Sequence, residues 1–108
     1  MIKMIIKMDD DRIRSHAEYT LDKVYSALDR IFSKKGMKRT DTERGIEYKG
    51  LGSNSDFAHF GNIILGLKEK SWFMDNAATW LFCNSDDMDD PEDFSEEDLL
   101  MHYGKKAG

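Results

Sequence analysis

The chain has 108 residues, 40% of them hydrophobic and 11% aromatic, and a formal net charge of −5. That length suits one core rather than two and buries roughly 65% of the unfolded surface, which is enough to fold without disulfides or a structural metal. The single cysteine, Cys83, excludes an internal disulfide and fits a reducing compartment, while the longest uncharged runs, 57–67 and 76–85, are shorter than the ~18 residues of a membrane-spanning helix. The first eight residues lack a signal peptide's apolar stretch. A soluble, cytoplasmic protein without a membrane partner is expected.

In residues 1–8, Ile2, Met4, Ile6 and Met8 alternate with Lys3, Ile5 and Lys7, which favours a strand. A helix running back from Ile13 competes, since Ile2, Ile6 and Ile13 also fit helical spacing, but it would be about 50 Å long. From 9 to 35, Ile13, Ala17, Leu21, Val24, Leu28, Ile31 and Phe32 recur every three or four residues, predicting one long helix stopped by Gly36. Residues 37–52 change to a period of two, with Ile46 and Tyr48 between charges, and predict a hairpin turning near 41–45. Phe57, Phe60, Ile64 and Leu67 form a second helical stripe whose internal Gly61 and Gly66 each cost ~1 kcal/mol relative to alanine, so close packing is expected at them. Trp72, Phe73, Ala77, Trp80 and Leu81 suggest a further helix ending near Asn84.

Charge divides the chain. Residues 1–84 hold 14 Lys+Arg against 12 Asp+Glu, and residues 85–108 hold 2 against 9. Self-repulsion and Pro91 make 86–93 a poor candidate for regular structure. After it, Ser95 followed by Glu96, Glu97 and Asp98 matches a capping signature for a short helix through Tyr103, ordered only by docking Phe94, Leu99, Leu100 and Tyr103 on a surface. The expected fold is therefore α+β and mainly helical: a long N-terminal helix, a β-hairpin that becomes three-stranded if residues 1–8 join it, a helix pair, an acidic linker and a short C-terminal helix. Residues 1–84 form the expected globular domain and 85–108 the tail.

The motifs that carry chemistry are missing from the sequence. Gly50-Leu51-Gly52-Ser53-Asn54-Ser55 matches neither a P-loop nor a dinucleotide fingerprint and suits a turn. His16, His59 and His102 have no ligand spacing, and the acidic run lacks the glycine and alternation of an EF-hand. Cys83, between Phe82 and Asn84 and close to aspartates, suits a small buried hydrophobe better than a nucleophile. No catalytic, cofactor-binding or metal-binding residue is assigned, no cofactor is expected, and the expectation is not an enzyme.

Two surfaces are candidates for partner binding. Lys34, Lys35, Lys38, Arg39, Arg44 and Lys49 form a basic patch suited to nucleic acid or an acidic partner, although a solvated hairpin explains it too. Trp72 and Trp80 are more tryptophan than a small core needs and, with Phe94, Leu99, Leu100 and Tyr103, complete the candidate contact set. Asp56-Phe57-Ala58-His59-Phe60-Gly61, Trp72-Phe73 and Trp80 together resemble small accessory proteins of Gram-positive conjugative elements and phages, over about half the chain. That resemblance implies an accessory or host-interacting role and no site residues. The leading expectation is a non-enzymatic interaction protein, conceivably encoded by a mobile element, whose acidic tail tunes contact with a protein partner. The alternatives are a nucleic-acid-associated protein using 34–49 and an acidic DNA mimic, and a homodimer is a further partner state.

Overall fold

The structure is a computed structural model that describes residues 1–16, 18–86, 88–90 and 92–104. In chain order its elements are β1 (Ile2–Met8), α1 (Asp10–His16), α2 (Leu21–Ser33), β2 (Arg39–Thr42), β3 (Gly45–Lys49), α3 (Asp56–Leu67), the single turn α4 (Ser71–Met74), β4 (Ala77–Asn84), β5 (Ser95–Asp98) and α5 (Leu99–Tyr103). The strands form one five-stranded sheet of order β2-β3-β1-β4-β5 with every neighbouring pair antiparallel. The alternation in residues 1–8 does mark a strand, and that strand is the centre of the sheet rather than an addition to the hairpin. None of the helices in the described residues is long and apolar enough to cross a membrane.

The helices cover one face. Ile2, Met4, Ile6 and Met8 of β1, Ile46 and Tyr48 of β3 and Trp80 of β4 share a cluster with Ile13, Val24, Leu28, Phe32, Phe60, Ile63, Ile64, Leu67, Phe73 and Leu99. Phe32 of α2 stacks on Tyr48 at 3.8 Å, with planes 3° apart, so α2 sits over β3; Phe60 of α3 meets Phe82 edge-on at 6.0 Å, so α3 sits over β4. On the opposite face Lys3 pairs with Glu47 at 3.1 Å and lies 4.2 Å over the Phe94 ring, while Ile5 and Cys83 are buried. Burial pushes the Cys83 thiol up to about 11, with the nearby Glu96 carboxylate adding to the effect.

The mainly helical expectation with a long N-terminal helix is wrong. The 9–35 stripe is two helices: Thr20 has extended backbone, and its hydroxyl accepts from the Lys23 N–H at 3.2 Å, starting α2 afresh. Ala17 lies outside the described residues. An unbroken helix over 9–35 would run about 40 Å, whereas the seven residues of β1 span about 23 Å. The break lets both halves lie on the sheet, and Tyr25 of α2 donates to Asp10 of α1 at 2.5 Å to fix them together.

Of the helix predicted from Trp72 to near Asn84 only the single turn α4 is helical, and its remainder is strand β4, so the expected helix pair does not form. A register shift opposite Lys7 and Met8 pairs Thr79 with Lys7 but Ala77 with Met8. This bulge turns Ala77 and Trp80, three residues apart, to the same side and so imitates a helical period. Both faces of β4 are also partly covered, which removes the polar alternation that marks a half-buried strand. Ser95–Asp98 is likewise strand β5 rather than the start of a helix, and the cap is Asp98, which accepts from the N–H groups of Leu100 and Met101 at 3.1 and 3.2 Å. Between β4 and β5, Asp87 and Pro91 lie outside the described residues, and the described part of 86–93 contains no helix or strand.

The Gly50–Asn54 loop is a turn with a specific cargo. Asp56 at the first turn of α3 is 3% exposed and accepts from the N–H groups of Leu51 and Gly52 at 3.2 and 2.8 Å and from the Ser53 hydroxyl at 3.2 Å. Gly50 is obligatory, because a Cβ there would stand 2.6 Å from an Asp56 carboxylate oxygen. Burial alone would raise the Asp56 pKa, yet the donors hold it below the ordinary aspartate value.

Two outcomes follow from this packing. Trp80 is fully buried, meets Phe73 edge-on at 4.9 Å and donates its indole N–H to Met4 Sδ at 3.2 Å. Trp80→Ala is expected to cost about 3 to 5 kcal/mol, a large part of the ~5 to 15 kcal/mol of a small domain, measured by urea unfolding followed by far-UV circular dichroism. Because the Asp56 pKa is lowered in the folded state, its stabilisation is complete above the unfolded value of 3.8 and is lost as pH falls through the folded value. Asp56→Asn is therefore expected to melt lower than the parent at pH 6 and to lose less further stability below pH 4.

Candidate interaction face

Helix α3 has two unlike sides. Asp56, Phe60, Ile63, Ile64 and Leu67 point into the core, and the outward set, spaced one and three apart, is Phe57, Ala58, Gly61, Asn62, Leu65 and Gly66. Half-buried His59 borders this side beside Gly66, and the outward set itself holds no ionisable residue. Phe57 and Leu65 are 64% and 54% exposed, although the sequence spacing placed Phe57 in the core stripe. By contrast, the outer side of α2 carries Asp22, Lys23, Ser26 and Arg30.

The glycines of α3 have no internal explanation. Close packing was expected at Gly61 and Gly66, yet a Cβ built at either meets no atom within 4 Å among the described residues, outside the helix's own neighbouring backbone. Each keeps its helical cost with no packing contact among the described residues requiring it.

A hollow borders α3 toward each end. At its C-terminal end Lys34 and Lys35 of the α2 terminus and Lys70 rim a groove of about 270 Å³ whose floor includes Ile31, Ile63 and Leu67. At its N-terminal end Asp86, paired with the N-terminal ammonium of Met1, shares a second hollow with Gly52, Ser53 and Asn54.

The sequence-predicted contact residues do not share one surface. Arg39 pairs with Asp29 at 3.2 Å and Asp41 at 2.8 Å, the Asp41 hydrogen bond chiefly raising its pKa, and it stacks 5.5 Å from the Tyr25 ring. Arg44, at the hairpin turn, reaches the far edge strand and grips Glu96 through two bonds of 2.6 and 2.9 Å. That pair raises the Arg44 pKa and lowers that of Glu96. Lys49 stands opposite Lys3 on the uncovered face of the sheet, and Lys38 is exposed just before β2. Only Lys34 and Lys35 of the six meet at one groove.

Of the apolar set, Trp80 and Leu99 are core residues at 0% and 2% exposure, and Leu100 and Tyr103 pack half-buried against the same core. Trp72 is half-buried against Phe73, and Phe94 lies across the sheet beneath Lys3. The sequence reading missed Ala58, Gly61, Asn62 and Leu65 as surface residues. The available signal was the uncharged run 57–67 with two glycines inside a helix.

Among the described residues no three His, Cys, Asp or Glu side chains converge to hold a metal ion. Comparison with family models, curated proteins and solved structures finds no match. Because space surrounds Gly61, Gly61→Ala is expected to stabilise the isolated chain by about 0.5 to 1 kcal/mol. Urea unfolding at low protein concentration checks this, and destabilisation would show that the glycine serves the fold.

Proposed function

We propose that this chain is a non-enzymatic interaction protein whose contact face is the outer side of α3, with the acidic residues that follow β4 adjusting the electrostatics of the contact. The observation that carries this reading is the pairing of exposed Phe57 and Leu65 with Gly61 and Gly66, where an added Cβ would meet nothing among the described residues. Exposed apolar side chains around a low-relief centre suit close approach by a folded partner. The accessory role implied by the resemblance to mobile-element proteins is part of this proposal.

The nucleic-acid alternative draws less support, because two of its six cations, Arg39 and Arg44, are bonded to carboxylates. Phosphate contacts at those positions would have to displace internal ion pairs.

The test places a photo-cross-linking side chain at Asn62 in cells producing the protein. Adducts are expected from position 62 and not from Thr40 on the uncovered sheet face. Leu65→Arg should reduce them roughly tenfold without changing the melting temperature, since Leu65 is already exposed. Equal adducts with and without Leu65→Arg, or none above the Thr40 control, would overturn the reading.

A further inference from the structure

Resting on the interaction-face reading, we propose that the groove flanking this face, between the ends of α2 and α3, takes an acidic segment of a partner protein. One apolar side chain of that segment enters the groove, and carboxylates beside it meet Lys34, Lys35 and Lys70.

The shape of the groove calls for an anchor. Ile31, Ile63 and Leu67 give it an apolar floor, with Asn62 and Gly66 on its α3 side. Gly66 keeps that side open, because a Cβ there would meet nothing within 4 Å among the described residues outside the neighbouring backbone of its own helix. The helical cost of this glycine then secures access to the floor. At about 270 Å³ the groove is smaller than the ~300 to 1,000 Å³ of sites that enclose a whole small molecule, and it suits a single anchoring side chain.

Charge selects what stands beside the anchor. Lys3, Arg14, Arg39, Arg44 and Lys68 each pair with a carboxylate, whereas Lys34, Lys35 and Lys70 form no ion pair among the described residues. The three lysines are the only charged residues lining the groove. Like charges gathered at one groove repel one another, and an occupant carrying carboxylates relieves that repulsion. The cations come from two segments, the end of α2 and the turn after α3, so carboxylates on either side of the anchor can be met. Lys34 and Lys35 also suit the α2 dipole, which explains their position but not the open apolar floor beside them. A lipid surface could use the lysines but not the concave floor, and a phosphate backbone has no side chain to enter it.

The probes are end-capped, fluorescein-labelled peptides in which one Leu, Ile, Met or Phe stands between two runs of three glutamates. Fluorescence anisotropy with the full chain is expected to show saturable binding of at least one of them. Replacing the anchor by glycine should weaken it about tenfold, as should raising salt from about 0.05 to about 0.5 M. Lys34→Gln with Lys35→Gln should also lose about tenfold in affinity. Gly66→Leu, which fills the groove and raises helix propensity, should abolish binding without lowering the melting temperature.

Failure of all four peptides to bind, binding indifferent to the anchor, or binding unchanged by Gly66→Leu would overturn the acidic occupant. So would tighter binding to phosphatidylserine vesicles that Gly66→Leu leaves intact. If position-62 adducts sensitive to Leu65→Arg persist in cells in that event, the interaction face stands with a different occupant. If those adducts are absent as well, both readings fall.

Discussion

The structure depends on β1 being hydrogen-bonded along both edges and covered by the helices on one face. Its residues pair with β3 from Lys3 to Ile6 and with β4 from Ile2 to Met8. Rows of cross-strand neighbours follow, Ile46–Ile6–Trp80 and Tyr48–Met4–Phe82, each facing the helices. A slip of one residue would turn Lys3 and Lys7 into that core, so the register is strongly specified. The β2–β3 hairpin alone is marginal in water and takes its support from β1. The fold therefore closes only when residues 77–84 return to residues 2–8, a contact of long sequence separation that must overcome a large loop-closure entropy. The end of the chain adds to the same core through Leu99, which is why the short α5 is ordered despite having too few residues to be stable alone.

Elements whose period matched their environment were legible. The hairpin, β1 and α3 each bury one face and show the expected alternation or stripe. β4 was not legible, because a bulge and burial on both sides erased the period of two and left a spacing of three between Ala77 and Trp80. β5 carries four exposed polar or acidic residues, so it has no apolar pattern at all; only pairing with β4 makes it a strand. The division of the 9–35 stripe was marked by Thr20, but the stripe continues in phase across the break, and the length of the sheet decides against one helix.

The candidate site was less legible than the fold, for an electrostatic reason. Sequence proximity assembled six cations into one patch, whereas folding places each beside whatever carboxylate the sheet brings near. Arg44 is the clearest case: its partner, Glu96, is 52 positions away and on the opposite edge of the sheet. A bidentate guanidinium–carboxylate pair crosses the uncovered face near buried Cys83 and links both edges of the sheet. Charge in this protein is thus partly a brace, and Lys34 and Lys35 also complement the C-terminal end of the α2 dipole. The apolar residues followed the same logic, with the conspicuous tryptophan Trp80 going inside and the less conspicuous Leu65 remaining outside.

The edges and the uncovered face of the sheet are guarded against association. Both sheet edges are four-residue strands, Arg39–Thr42 and Ser95–Asp98, fully exposed and charged, which discourages strand addition by another chain. The uncovered sheet face carries Lys3, Glu47, Lys49 and Glu96. Along α3 there is no comparable guard. Alanine at Gly61 and Gly66 would favour the isolated helix by up to ~2 kcal/mol in a domain whose whole stability is ~5 to 15 kcal/mol. A helix made weaker by its glycines and uncharged where it is exposed is poorly optimised for water. The interaction reading rests on that mismatch between what the isolated fold needs and what α3 presents.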